Sequence, residues 1–120
     1  MGRRVLIVDD HPSFRRFAAR LLEVGGFRVV GEAKDGASAL AAVRRLRPDL
    51  MLLDVLLPDM SGFAVAEALA AEVGSPGVVL VSSRDAAEFG PALQDCPARG
   101  FITKSELSAE AFAAVADGAS

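Results

Sequence analysis

Five short apolar runs that lack alternation between polar and apolar residues constrain this fold more than any other feature of the sequence. A longer segment with helical periodicity follows each run. Strands in a parallel sheet that is covered on both faces show this pattern, because both of their sides are buried. The predicted strands cover residues 4–9, 27–32, 50–54, 77–81 and 99–103. Repeated βα units with short connections predict an α/β fold with an open, doubly wound sheet and helices on both faces.

The segments between these strands predict four regular helices and one irregular stretch. The regular helices are expected at residues 12–24, 36–46 and 63–73, and from Ser108, which we predict to be the N-cap of the last helix. Residues 84–98 contain Gly90, Pro91 and Pro97, so the fourth helix should be short or irregular. The tail at residues 117–120 is expected to fray.

Composition predicts a single cytoplasmic domain over residues 1–120, with no output domain in the chain. Hydrophobic residues make up 52% of its 120 residues, which is enough for a core without metal or disulfide staples. Cys96 is the single cysteine, which fits a reducing compartment. No apolar run is long enough to span a membrane. The net charge of -3, from 16 acidic and 13 basic residues, argues against nucleic-acid binding by this domain.

Reactive side chains follow four of the predicted strands. Asp9 and Asp10 follow the first, Asp54 ends the third, Ser82 follows the fourth and Lys104 follows the fifth. The carboxyl ends of parallel strands share one edge, so these residues should surround a single crevice. Two carboxylates about 4 Å apart repel by about 4 kcal/mol at an effective dielectric of about 20, so the cluster requires a cation. Oxygen ligands with an open geometry suit Mg²⁺, with Mn²⁺ as a substitute.

Each of these residues, taken alone, also has a purely structural interpretation. Asp10 could cap a helix, Asp54 could begin a turn, and Lys104 could be an ordinary surface charge. His11, the single histidine, is interpreted as a loop residue without a role. The occurrence of acids, a hydroxyl and a lysine at strand ends that meet at one crevice favours a reactive site.

Four motifs at fitting spacings resemble those of the receiver domains of bacterial response regulators. They are Val-Asp-Asp-His-Pro at 8–12, Leu-Leu-Asp-Val-Leu-Leu-Pro-Asp-Met-Ser-Gly at 52–62, Val-Ser-Ser at 81–83 and Gly-Phe-Ile-Thr-Lys at 100–104. The resemblance extends from Val5 to about Val115. It implies a flavodoxin-like three-layer sandwich, similar to chemotaxis regulators, whose parallel strands lie in the order 2-1-3-4-5.

The resemblance also implies a role for each site residue. It makes Asp54 the phosphoacceptor, Asp10 a direct metal ligand, Asp9 a ligand acting through water, and Leu56 a ligand through its backbone carbonyl. By the same resemblance Ser82 hydrogen-bonds the phosphoryl group, Lys104 pairs with it, and Phe101 is the aromatic switch residue that responds to Ser82. The fourth helix, the fifth strand and the fifth helix would then form the face that changes.

As a function, the resemblance implies a two-component switch. A sensor histidine kinase or a histidine phosphotransfer protein would donate a phosphoryl group to Asp54, giving a 4-aspartylphosphate. The domain would promote its own phosphorylation and dephosphorylation but would turn over no external substrate. Its downstream partner would be an output protein or an appended domain, such as one that regulates transcription, and phosphorylation could promote a homodimer. Arg84 is hypothesised to tune water access to the site.

Two alternatives and one departure from the family pattern remain open at this point. The chain could be an interaction or dimerisation module that phosphate does not switch, although the complete acidic set argues against this. It could also be an Mg²⁺-dependent aspartyl-phosphate phosphatase, but Val55 and Leu56 supply no second acid near Asp54. Ser105 stands where many family members have a proline after a cis bond, so the Lys104–Ser105 bond could be cis or trans.

Overall fold

A computed structural model describes residues 2–118 and has the predicted doubly wound α/β architecture. In chain order its elements are β1 (Arg4–Val8), α1 (Pro12–Val24), β2 (Arg28–Ala33), α2 (Gly36–Leu46), β3 (Leu50–Asp54), α3 (Gly62–Ala70), β4 (Gly77–Ser82), α4 (Pro91–Asp95), β5 (Gly100–Thr103) and α5 (Ala109–Ala116). Two 3₁₀ turns cover Ala86–Glu88 and Lys104–Glu106. The five strands pair in parallel in the order β2-β1-β3-β4-β5, which confirms the implied topology.

Two hydrophobic cores lie on opposite faces of the sheet and account for the unalternating apolar runs. Every residue of β3 and β4 is buried, because successive side chains enter one core and then the other. The core under α2 and α3 includes Leu6, Val8, Met51, Leu53 and Leu80. The core under α1 and α5 includes Val5, Ile7, Leu50, Leu52 and Phe112.

Several element ends differ slightly from the sequence-based bounds. β1 ends at Val8 rather than residue 9, β2 is shifted to Arg28–Ala33, β4 includes Ser82, and β5 begins at Gly100. The pairing register explains these ends: Val8 pairs with both Ala33 and Leu53, and Ser82 pairs with Thr103. The predicted third helix was too long, because Val73 is 96% exposed and contributes no core contact that would extend α3.

The region between β4 and β5 is irregular, as its glycine and prolines predicted. Gly90 has φ 57° and ψ -138°, a backbone region that residues with a Cβ rarely adopt, and it separates the Ala86–Glu88 turn from the five-residue α4. Neither the turn nor α4 contains a buried residue. Phe89 and Leu93 are only partly buried against the core that α2 and α3 cover, so the cover of this face is thinner at its β5 end than beneath α2 and α3.

Local signals at the other helix starts agree with the sequence. The Ser108 hydroxyl caps α5 by accepting the Ala111 N–H at 3.0 Å, as predicted, and the Ser61 hydroxyl caps α3 through Ala64 N–H at 3.1 Å. Residues 2–118 contain no cis peptide bond, so the Lys104–Ser105 bond is trans. In the predicted tail, Gly118 lies in a turn, whereas residues 119 and 120 are outside the described part of the chain. Among the described helices, none has the length and apolarity to cross a membrane.

Candidate acid pocket at the carboxyl edge of the sheet

The carboxyl ends of β1, β3, β4 and β5 are neighbours in the sheet and bring the predicted site residues to one edge. Asp9 follows β1, Asp54 ends β3, Ser82 ends β4, and Lys104 follows β5. Val8 pairs with Leu53 and Asp54 pairs with Val81, so the strand ends are level along the edge. We name the cluster of Asp9, Asp10 and Asp54 the acid pocket.

Asp9 is the deepest member of the acid pocket and is fully buried. Its Oδ1 accepts the His11 backbone N–H at 2.8 Å, and its Oδ2 lies 2.6 Å from Lys104 Nζ. This ion pair lacks hydrogen-bond geometry, and Oδ2 has no hydrogen-bond partner in the described chain. Burial acts to raise the pKa of Asp9, but the Lys104 ammonium and the His11 N–H outweigh burial and hold the pKa below its usual value.

Asp54 lies beside Asp9 and is 3% exposed. Its Oδ1 accepts the Leu56 N–H at 3.2 Å, and its Oδ2 is 3.5 Å from Lys104 Nζ. Burial, followed by the negative charge of Asp9, raises the pKa of Asp54 to about 6, although the Leu56 N–H and Lys104 oppose this increase. At neutral pH the carboxylate is ionised but poorly stabilised, which suits a group that has to react.

Lys104 carries the positive charge that faces the acid pocket from β5. Its side chain is 18% exposed, and its Nζ lies 4.3 Å from the centre of the Phe14 ring. The ammonium is closer to Asp9 than to Asp54, so it compensates the deeper carboxylate more strongly. One ammonium beside three carboxyl groups leaves the pocket acidic overall.

Asp10 and His11 form the outer rim of the pocket. His11 Nδ1 lies 2.9 Å from Asp9 Oδ1 and 3.1 Å from Asp10 Oδ1. Potential ligand atoms from Asp9, Asp10, His11 and Asp54 all lie within 4.8 Å of one another. His11 lies between β1 and α1, which agrees with its interpretation as a loop residue, and its ring borders this cluster; that it has no role stays a prediction.

Ser82 ends β4 and Phe101 lies in β5, so both are next to the thinly covered β5 end of the sheet. Ser82 is buried, and its Oγ accepts the Arg84 N–H at 3.2 Å. Phe101, in β5, packs edge-to-face against Phe89 with ring centres 5.8 Å apart, and Phe89 in turn packs against Phe63 at 5.6 Å. The two predicted switch residues therefore occupy different environments, one at the edge and one in an aromatic row.

The acid pocket fits a hard divalent cation. Asp9 Oδ2 is a buried carboxylate oxygen without a hydrogen bond, and the neighbouring donors from Asp10 and Asp54 are also carboxylate oxygens. Mg²⁺ favours such oxygens and keeps several water ligands, which the exposed rim at Asp10 allows. The chemistry of the donor set therefore agrees with the metal that the sequence predicted.

The family model of the response regulator receiver domain matches residues 5–116. The chain belongs to this receiver family. NarP, a nitrate/nitrite response regulator of Escherichia coli, is 40% identical over 119 residues, which cover 96% of this chain and 55% of NarP. MtrA, a DNA-binding response regulator of Mycolicibacterium smegmatis, is 46% identical over 87 residues, which cover 71% of this chain and 37% of MtrA.

A solved structure supports the same family at the level of the fold. The signal receiver domain of NarL from Mycobacterium tuberculosis superposes with a TM-score of 0.85, shares 39% identity and is covered over 98% of each chain. This chain therefore covers 98% of that solved domain but only 55% of NarP and 37% of MtrA. This chain is a response regulator receiver domain of the two-component type.

Proposed function

We propose that this receiver accepts a phosphoryl group on Asp54 from the phosphohistidine of a sensor histidine kinase or a histidine phosphotransfer protein. The observation that carries the proposal is the state of Asp54, a buried carboxylate whose pKa is raised to about 6 and whose Oδ2 faces Lys104 at 3.5 Å. Because the protein stabilises the ionised form of Asp54 poorly, this carboxylate is more nucleophilic than a well-solvated one.

In the proposed reaction, a carboxylate oxygen of Asp54 forms a bond to phosphorus while the bond between phosphorus and the donor imidazole nitrogen breaks. The bonding electron pair leaves with the donor imidazole, which departs neutral because its other ring nitrogen carries a proton. Asp54 is already ionised at neutral pH, so no base within the receiver has to remove a proton from it. Lys104 moves its charge interaction towards the phosphoryl oxygens, and the Ser82 hydroxyl donates to one of them. Both groups lie at the edge that Asp54 occupies.

The proposed cation ligands are Asp10 and Asp54 directly, Asp9 through water and Leu56 through its backbone carbonyl, with Mn²⁺ able to replace Mg²⁺. When bound, the cation neutralises the acid pocket and the charge on the incoming phosphoryl oxygens. Asp10 suits a ligand that exchanges with water because its side chain is 36% exposed. Asp9 is fully buried, which suits a carboxylate that holds a water ligand of the cation in place.

The proposed readout is a population shift at the face formed by α4, β5 and α5. In the unphosphorylated structure the Ser82 hydroxyl accepts the Arg84 N–H. After phosphorylation Ser82 would turn towards the aspartyl phosphate, and Phe101 would change its packing against Phe89. A change from 1:99 to 99:1 requires about 5.5 kcal/mol of differential stabilisation, and a phosphate that carries about -1.5 to -2 charge can supply much of it. We also propose that Arg84 tunes water access to the phosphorylated site.

The output of the switch is proposed to lie outside residues 1–120, which form one receiver domain. Its relatives are longer, and the name of MtrA describes DNA binding, so an appended transcription-regulating domain or a separate output protein suits this receiver. A homodimer is a further proposed partner. The net charge of -3 argues against direct binding of nucleic acid by this domain, and we propose a cytoplasmic signalling role without turnover of an external substrate.

Incubation of the purified chain with acetyl phosphate and Mg²⁺ tests this proposal. Intact-mass spectrometry should detect one added phosphoryl group in the wild type and in Asp95→Asn, an exposed aspartate on α4, but none in Asp54→Asn or after chelation. Lack of an adduct in the wild type would contradict the proposed function. Repeated hydrolysis of an added phosphate ester would instead favour a phosphatase.

A further inference from the structure

The loop between β3 and α3, residues 55–61, is a closed unit that follows Asp54 directly. Gly62 N–H donates to the Val55 carbonyl at 2.7 Å, and Leu56 and Ser61 form an isolated antiparallel bridge. Leu56 N–H donates to Asp54 Oδ1 at 3.2 Å, so the loop contacts the acid pocket at its first turn. The position of the loop as a whole therefore affects the carboxylate of Asp54.

The tip of this loop is tied to a second element, the N-terminus of α2. Asp59 Oδ1 accepts the Gly36 N–H at 2.8 Å, and Asp59 Oδ2 accepts the Ala37 N–H at 3.0 Å. The first turn of a helix has free N–H groups and a positive dipole end, and both favour a carboxylate. Met60 packs so closely on Gly36 that a Cβ at residue 36 would collide with its side chain.

The N-terminus of α2 is itself held close to the turn that contains Asp9, at the carboxyl edge of the sheet. Asp35 caps α2 by accepting the Ser38 N–H at 2.8 Å, independently of Asp59. Two residues earlier, the Ala33 carbonyl accepts the Asp9 N–H at 3.0 Å. One end of α2 thus connects, through short chain segments, to both the Asp9 turn and the loop that follows Asp54.

We propose that Asp59 is a positioning residue for the acid pocket, holding the 55–61 loop against α2 so that Leu56 and Asp54 are placed for the cation and the phosphoryl group. This inference rests on the proposed function of Asp54 and Leu56. Because coupling between sites is reciprocal, a cation in the acid pocket should in turn stabilise the hydrogen bonds at the first turn of α2.

The test compares two aspartates that cap the same helix. Asp59→Ala releases the loop, whereas Asp35→Ala removes a cap and a charge from α2 but leaves the loop contacts in place. Isothermal titration calorimetry should show Mg²⁺ affinity falling about 5- to 50-fold in Asp59→Ala and less than about 3-fold in Asp35→Ala. Asp59→Asn keeps one oxygen acceptor and should lie between the wild type and Asp59→Ala.

A second measurement separates positioning from simple loss of charge or of fold. Amide hydrogen exchange at Gly36 and Ala37 should become slower when Mg²⁺ binds the wild type, and this change should be absent in Asp59→Ala. A high salt concentration screens the charge of Asp59 but does not restore the position of the loop. The difference in Mg²⁺ affinity between the wild type and Asp59→Ala should therefore persist at high salt. Far-UV circular dichroism confirms that each variant is folded.

Three results distinguish the possible failures. Equal Mg²⁺ affinity in the wild type and Asp59→Ala would overturn the positioning role while leaving the proposed function intact. An equal loss in Asp35→Ala and Asp59→Ala would also overturn it, because general weakening of α2 would then explain both. Failure of the wild type to bind Mg²⁺ would overturn the proposed function, and the positioning role with it.

Discussion

The β3–α3 loop and the segment between β4 and β5 flank the same sheet edge but are held in opposite ways. In the first, main-chain pairing closes the loop, and Asp59 ties its tip to α2 with two hydrogen bonds. In the second, residues 83–99 form a 3₁₀ turn and a five-residue helix that bury no side chain. The part-buried Phe89 packs between Phe63 and Phe101, and the part-buried Leu93, Cys96 and Ala98 also contact the core.

This difference suggests a division of labour along one edge. The proposed reactive carboxylate and its proposed metal ligands need positions held to a fraction of an ångström, which a hydrogen-bonded loop can provide. The proposed switch face needs a small free-energy gap between arrangements, and segments with little buried apolar area supply such a gap. The acid pocket and the aromatic row at Phe89 therefore have different local stabilities, which can be measured separately.

The largest expected contrast is between a leucine of the central sheet and a leucine of the segment between β4 and β5. Leu80 in β4 is fully buried, so Leu80→Ala should lower the free energy of unfolding by about 2 to 5 kcal/mol. Leu93 in α4 is only partly buried, so Leu93→Ala should cost about 1 kcal/mol or less. Urea unfolding followed by circular dichroism measures both. Equal losses would mean that α4 belongs to the main core.

The contrast also explains how far the sequence could predict the fold. Buried strands such as Leu50–Asp54 were recognisable because both faces are apolar, and Gly90 and Pro91 predicted the break before α4. The ends of strands were less predictable, because they depend on pairing: Val8 is the last paired residue of β1 only because Ala33 and Leu53 stand opposite it.

The acid pocket was predictable in composition but not in its contacts. Strand ends placed Asp9, Asp54 and Lys104 together, since the topology of parallel strands determines which ends meet. The hydrogen bonds of Asp59 join residues that are 23 and 22 positions apart, and the contact of Phe89 with Phe101 depends on how an irregular segment folds back. No local pattern encodes such contacts, so they required three-dimensional coordinates.

A second, intermediate effect concerns the loss in folding stability caused by ionised Asp54, the residue that precedes the β3–α3 loop. Its pKa is raised from an ordinary 3.8 to about 6, so the folded state binds the proton more tightly than the unfolded state does. The stabilising contribution of protonated Asp54 is present below about pH 4 and is lost as pH rises through about 6. Asp54→Asn should therefore stabilise the metal-free domain by about 1 to 3 kcal/mol above pH 7 and little at pH 4.

Urea unfolding of the wild type and Asp54→Asn across this pH range measures the effect. Asp95→Asn, on the exposed α4, serves as a control and should show no such pH-dependent gain. Saturating Mg²⁺ should narrow the difference, because a cation that binds the folded state stabilises the ionised carboxylate of the wild type. A difference between wild type and Asp54→Asn that stays constant with pH would show that the raised pKa does not cost stability.

The smallest effect on the acid pocket is expected from Phe89, and it tests whether the two segments are independent. Phe89→Ala removes two edge-to-face contacts from a part-buried ring, and each contact contributes about 0.5 to 1.5 kcal/mol beyond the apolar area that the ring buries. The nuclear magnetic resonance signals of the Phe101 ring should shift and broaden, because its neighbour in the aromatic row is gone. Phe17→Ala, at a ring on α1 that is 53% exposed, should leave the Phe101 signals unchanged.

The Mg²⁺ affinity of Phe89→Ala then tests whether the segment between β4 and β5 also supports the acid pocket. Because main-chain pairing and Asp59 hold the β3–α3 loop, Phe89→Ala should change Mg²⁺ affinity by less than about 2-fold despite its effect on Phe101. If Phe89→Ala weakened Mg²⁺ binding as much as Asp59→Ala did, the aromatic row would be part of the support of the acid pocket. The sheet edge would then act as one unit, and the weak cover at α4 would set the precision of the site as well as its response.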